Sequence, residues 1–286
     1  MIYVITHKKF DDEKINNSLY KVLHVGKNDN SKPDYLRDDS GENISDKNPT
    51  FCELTGLYWL WKNRKEPSDE ITGLVHYRRF FTDEAGFADY RKTGECPDVL
   101  GDFGDIDDNT VILPKRYKTI STLYGSYNRC HNISDMEHLK AVMEKLCPEY
   151  ISTFEGIMNG HVGYYYNMFI CSRRNLERYC EWLFPILFEI EKNLKEASDI
   201  SDTKKSIEAE DISETEATVY QDRLYGFLSE RLLQVWVIHN GLTIKEYPVF
   251  NTEEPPISFA KRNVIRVKYL WAKYVTHKRT EYIHKN

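Results

Sequence analysis

The sequence predicts an α/β domain built on a mostly parallel central sheet flanked by helices. Short apolar runs alternate with amphipathic helical patterns over about 250 residues. Several of those runs stop abruptly in polar clusters, as buried strands do at a sheet edge. No internal repeat interrupts the alternation, and no stretch reaches the roughly 18 apolar residues of a membrane span.

Taken in order, Ile2 to Ile5 is an apolar run ending in Thr6, His7 and Lys8, and Tyr20 to Val25 repeats the pattern. A turn-rich stretch around Asp38 to Asn43 follows. Asn48, with Pro49 at the first helical position, then opens a helix through Phe51 to Asn63, with Leu54, Leu57, Tyr58 and Trp61 at helical spacing. Ile71 to Val75 returns to strand character and ends in His76-Tyr77-Arg78-Arg79. The Gly/Asp-rich segment Gly94 to Asn109 reads as a loop before a strand at Thr110 to Leu113. Helical patterns cover Lys118 to Tyr127, Ser134 to Leu146 and Pro148 to Met158. Tyr164 to Cys171 is dense in aromatic residues and reads as a strand. Helices at Arg174 to Leu194 and Tyr220 to His239 flank an acidic, apolar-poor stretch, Glu196 to Glu216, expected to be a mobile insertion. A last strand is expected at Leu242 to Val249. The domain is thus residues 1–259, followed by a basic tail, 260–286.

Charge separates the two. The 286 residues carry a net −6, which argues against a nucleic-acid partner, yet residues 260–286 hold eight Lys/Arg against Glu281 alone, leaving −13 for the rest. Ile265, Tyr269 and Ala272 share one helical face of the tail, the composition of a segment attracted to an anionic membrane surface. The six cysteines show no C-x-x-C pairing, and the N-terminal apolar run is too short for a signal-peptide core. A cytoplasmic protein, peripheral at the inner face of the plasma membrane through its tail, is the expectation.

Chemistry concentrates in a few places. Ligands of open α/β sheets sit outside the carboxyl ends of strands, which makes Thr6, His7 and Lys8 candidates. His76, Arg78 and Arg79 are the sharpest signal, because guanidinium groups after a buried strand match phosphate oxygens. Neighbouring side chains of an extended segment point apart, so one arginine should face the ligand and the other pair with a carboxylate. Glu53, in the first turn of an otherwise apolar helix, and Glu230, beside Arg231 in the amphipathic helix, are candidate bases. Asp105 and Asp107 form a D-x-D, the spacing by which many sugar transferases hold a divalent ion, but they precede their strand and read as a solvated loop. No G-x-S-x-G, P-loop, G-x-G-x-x-G or H-E-x-x-H occurs.

The run Glu42 to Pro49, then Cys52-Glu53-Leu54-Thr55, Gly73 to Phe80, Ile112 to Lys115, Tyr166 to Ile170 and Gly226 to Leu232 together resemble the capsular and exopolysaccharide biosynthesis proteins long carried as a domain of unknown function. The resemblance extends to about Pro248. It implies a GT-A-like glycosyltransferase that moves galactofuranose, with inversion, from a UDP-sugar to a lipid-linked oligosaccharide acceptor. It also implies no cofactor and no metal: HYRR falls where metal-dependent GT-A enzymes carry their D-x-D. On this reading Glu230 or Glu53 is the base, with Asp39 behind them. Asn43, Lys47 and Asn48 bind donor sugar or phosphate, and Asn167 meets the acceptor. The alternatives are a metal-dependent (Mn or Mg), retaining hexosyltransferase using Asp105 and Asp107, or a non-catalytic carbohydrate-binding protein of the capsule machinery.

Overall fold

The computed structural model describes residues 1–15, 18–65, 67, 70–205 and 223–254. Strand β1 (Ile2–Thr6) lies inside the sheet and is buried at every position, as a strand inside a parallel sheet must be. On one side β1 pairs in parallel with β2 (Tyr20–His24), which pairs with the short β3 (Leu36–Arg37). On the other it pairs in parallel with β4 (Ile71–His76). Beyond β4 lie β9 (Phe169–Ser172), β6 (Thr110–Pro114) and β10 (Thr243–Tyr247). Only β9 runs against the rest of this row, antiparallel to both β4 and β6. The sheet is therefore mixed α/β and mostly parallel, as expected.

Alternation along β1 assigns its two faces. Tyr3 and Ile5 join a core with helices α2 (Leu54–Asn63), α4 (Leu123–Cys130), α5 (Ser134–Leu146), α6 (Ile151–Met158), α7 (Arg173–Lys205) and α8 (Leu224–His239). Ile2 and Val4 face a smaller core with Phe80, Phe81, Tyr90, Phe103 and Phe250. That second layer includes elements the sequence reading omits. Helix α3 (Glu84–Thr93) is capped by Asp83, which accepts from the Gly86 N–H, and is stopped by left-handed Gly94. Strand β5 (Arg79–Phe81) pairs antiparallel with β11 (Val249–Asn251), so the expected single strand from Leu242 to Val249 is two strands broken at Pro248.

Three further expectations need correction. The helix expected from Phe51 to Asn63 is interrupted: α1 (Asn48–Phe51) ends at Cys52, whose φ is 51°, before α2 begins. Tyr164 to Met168 is not strand, because Tyr166 and Asn167 take positive φ of 84° and 50°. Helix α7 continues to Lys205, through the first ten residues of the expected mobile insertion; residues 206–216 and the tail 260–286 lie outside the described residues. Among the described residues no helix is long and apolar enough to cross a membrane.

Gly73 fixes the seam between β4 and β9. A Cβ there would stand 2.2 Å from the Phe169 carbonyl oxygen and 2.8 Å from the Ile170 Cα, both backbone atoms that cannot step aside. Gly73→Ala is expected to cost more than about 2 kcal/mol in urea denaturation. An unchanged midpoint would show that β9 is not held this close.

Candidate functional site

A cavity of about 510 Å³ opens at the C-terminal ends of β1 and β4, within the range of small-molecule sites. It is lined by Ile5, Thr6 and His7 from the end of β1, Val25 after β2, Asn48 and Pro49 from the start of α1, and Cys52 and Glu53 from the break between α1 and α2. His76, Tyr77, Arg78 and Arg79 come from the end of β4 and the turn into β5, Tyr166 from the loop before β9, and Arg223 and Glu230 from the start of α8.

The cations are arranged by the sharp turn after β4, which lets adjacent arginines reach one space despite the alternation of extended chain. The two differ in pairing, as expected. Arg78 Nη1 lies 3.4 Å from Glu253, a carboxylate that also takes Lys8 Nζ at 3.0 Å. Arg79 has no carboxylate partner among the described residues, and its guanidinium lies 4.6 Å from the centre of the Tyr166 ring. Arg223 is exposed, has a left-handed φ of 72°, and lies 5.6 Å from the Phe227 ring centre without an ion-pair partner among the described residues. His76 Nε2 donates to the Tyr166 carbonyl, and burial holds its imidazole below the ordinary value. His7 is lowered too, by burial and then by Lys8 and Arg78. Both histidines therefore tend to the neutral form, so the fixed positive charge comes from arginine.

Facing these groups are two carboxylates held by one loop. Tyr166 N–H donates to Glu230 Oε1 at 3.0 Å, and Arg231 Nη1 donates to its Oε2 at 3.0 Å. Burial pushes the Glu230 carboxyl above its ordinary value, against the opposing pull of Arg231 and the Tyr166 N–H. Asn167 Nδ2 donates to Glu53 Oε1 at 2.6 Å and to the Gly226 carbonyl at 3.0 Å. The positive φ of Tyr166 and Asn167 is what turns a backbone N–H, a backbone carbonyl and an amide toward three different partners. Backbone conformations of this kind persist where the surroundings over-determine them, and cluster at working sites.

Of the residues named from sequence, the cavity brings together Thr6, His7, Asn48, Glu53, His76, Arg78, Arg79 and Glu230. The others have different places. Thr6 Oγ1 itself donates to the Lys8 carbonyl at 2.5 Å, which turns Lys8 away to the rim, against Glu253. Asp39 lies outside the lining because Arg37 engages it, with Nη2 to Oδ2 at 2.6 Å. Asn43 closes its own turn, donating to the Gly41 carbonyl and accepting from the Ser45 N–H. Lys47 is drawn to Glu191 of α7 at 2.6 Å. Asn167, expected at the acceptor, is buried and does not line the cavity; it orients Glu53 instead. Asp105 and Asp107 precede β6, which runs parallel to β4, and so lie at the opposite edge of the sheet. There Asp107 accepts from Thr110 Oγ1 at 2.6 Å, a bond that holds its carboxyl below the ordinary range. Arg223, Tyr166, Cys52 and Glu253 were missed. Only the Tyr-Asn pair carried a local signal, since asparagine is among the few residues that tolerate left-handed backbone.

Arginines and carboxylates that line one cavity can hold a diphosphate and accept a proton beside it. Comparison with known proteins gives this arrangement a context. The family pattern described as "Domain of unknown function (DUF4422)" matches residues 1–241, which include every residue lining the cavity. A solved structure described as WbbM, a bifunctional glycosyltransferase in its apo form, is 28% identical with a TM-score of 0.64, over 88% of this chain and 45% of the other. This chain therefore spans less than half the length of that protein. No curated protein matches.

Glu253 occupies, in effect, the anion position between Lys8 and Arg78. Glu253→Gln is expected to tighten inorganic pyrophosphate binding about two- to fivefold at low ionic strength, since an exposed pair of this kind is worth under about 1 kcal/mol. Calorimetric titration checks it, and weaker binding in the variant would contradict it.

Proposed function

The chain belongs to the DUF4422 family, and from that premise we propose that it is a glycosyltransferase moving a sugar from a UDP-sugar to a saccharide acceptor. The observation that carries the reading is one cavity, at the carboxyl ends of parallel strands, whose lining includes Arg78, Arg79, Arg223, Glu53 and Glu230. The acceptor hydroxyl attacks the anomeric carbon as the bond to the β-phosphate oxygen breaks. Charge grows on the departing UDP, and preorganised guanidinium groups stabilise it without reorganising. In this reading the arginines neutralise the diphosphate with no metal required. The D-x-D alternative is disfavoured because Asp105 and Asp107 lie across the sheet from the cavity.

The acceptor hydroxyl must lose a proton as it attacks, and Glu230 is assigned that role. Its raised proton affinity suits a base working near neutral pH, and its two oxygens are oriented by the Tyr166 N–H and Arg231. Glu53, held by Asn167, stabilises the positive charge of an oxocarbenium-like transition state. A base placed to activate the acceptor implies direct displacement with inversion. Galactofuranose as the sugar, and surface-polysaccharide assembly as the setting, are proposed from the resemblance described above. A purely carbohydrate-binding role would leave the half-buried Glu230 carboxylate and the left-handed Tyr166-Asn167 pair without a purpose.

The test is UDP release from a panel of UDP-sugars with saccharide acceptors. Glu230→Gln is expected to lower kcat by about 10²- to 10⁴-fold while UDP still binds. In the wild type, kcat/KM rises with pH through the raised pKa of Glu230, above the ordinary carboxylate range, and this limb disappears in the variant. A Glu230→Gln enzyme turning over at the wild-type rate would overturn the assignment.

A further inference from the structure

Among the described residues only four large hydrophobic side chains are exposed, and two of them are tyrosines, Tyr117 (60%) and Tyr166 (40%). Tyr166 lines the cavity. Tyr117 lies on β7 (Tyr117–Lys118), just past the C-terminal end of β6 and thus at the same edge of the sheet as the cavity. Its ring meets Tyr165 at 5.7 Å between centres and 70° between planes. Tyr165 in turn lies 5.4 Å from the guanidinium of Arg231, the partner of Glu230. A continuous aromatic path therefore leads outward from the assigned base: Glu230, Arg231, Tyr165, Tyr117.

The path is rigid. Strand β7 pairs with β8 (Val162–Gly163), with Tyr117 opposite Gly163. Thr119 N–H donates to the His161 carbonyl and Leu123 N–H to the Gly160 carbonyl. Tyr164 Oη donates to Glu246 Oε1 at 2.6 Å, and Arg116 Nε meets the same oxygen. Apart from its edge contact with Tyr165, the Tyr117 ring is held out into solvent on a fixed ribbon. It offers an apolar ring face for the C–H face of a sugar, with a hydroxyl at its edge for a hydrogen bond.

Building on the glycosyl-transfer reading, we infer that Tyr117, Tyr165 and Tyr166 form the acceptor platform, with Tyr117 stacking the sugar one unit beyond the one that reacts. The spacing of Tyr117 from Tyr165 is close to one sugar residue. The platform selects acceptors of two or more sugars over single sugars.

Two measurements test this. In transfer assays, KM for lactose should lie below KM for methyl β-galactopyranoside. Tyr117→Ala should raise the lactose KM about five- to tenfold and erase that difference, while Tyr117→Trp preserves it; UDP titration verifies that each variant is folded. The second measurement needs no turnover: NMR saturation transfer from the UDP-bound protein to lactose, expected in the wild type and lost in Tyr117→Ala. Saturation transfer lost in Tyr117→Ala while no UDP-sugar is turned over would support the platform and remove only the transfer reading. Unchanged KM and saturation transfer in Tyr117→Ala would overturn the platform. A dimer in chromatography that dissociates in Tyr117→Ala, with lactose binding intact, would overturn it in favour of a second copy of the chain.

Discussion

The site depends on two residues of left-handed backbone, Tyr166 and Asn167, at the point where the chain enters the one reversed strand of the main row. Each costs on the order of 1–2 kcal/mol relative to ordinary backbone. In exchange, the Tyr166 N–H reaches Glu230, its carbonyl takes His76, its ring lies against Arg79, and Asn167 holds Glu53. Both carboxylates, the neutral His76 and the Arg79 guanidinium are thus fixed by one loop. The loop is itself fixed because β9 lies against Gly73, where no side chain keeps the strands apart.

Charge is distributed with the same economy. The half-buried Glu230 is matched by Arg231, which is packed against the Tyr127 and Tyr165 rings. The arginine that pairs outward, Arg78, shares Glu253 with Lys8, while Arg79 and Arg223 are left to the cavity. Structural charges are placed elsewhere: Arg173, almost wholly buried, donates to the Leu60 and Trp61 carbonyls at the end of α2, and Asp38, also buried, holds Gly26 N–H and Ser45 Oγ in the loop after β2. Arg173 and Asp38 thus serve the frame, whereas Arg79 and Arg223 line the cavity.

Much of this was legible in the sequence wherever local pattern and burial agree. Ile2 to Ile5, Ile71 to Val75 and Thr110 to Leu113 are strands because apolar runs of that length, stopped by polar residues, can only be buried edge to edge; the helix Ser134 to Leu146 was read to the residue. His76, Arg78 and Arg79 were readable because they directly follow such a run. The aromatic run from Tyr164 misled, since its composition favours strand while its long-range bonds to Glu230, Glu53 and His76 demand a turn. Asn43 and Lys47 looked like ligand groups because polar side chains carry no mark of the partner they will find; Glu191, which claims Lys47, is 144 residues away. Helix α3 was legible and overlooked, with Asp83 at its start and Gly94 at its end. Arg223 was not, because only the fold carries the start of α8 to the cavity.

The central claim is that arginines at the ends of β4 and α8 receive a nucleoside diphosphate. Titration calorimetry of UDP, run with Mn and again with EDTA, on the wild type and on Arg79→Ala, tests it directly. The account expects equal binding in both buffers and at least about tenfold weaker binding in Arg79→Ala, as loss of a charge-assisted hydrogen bond implies. Binding that requires Mn, or that is indifferent to Arg79→Ala, would contradict it.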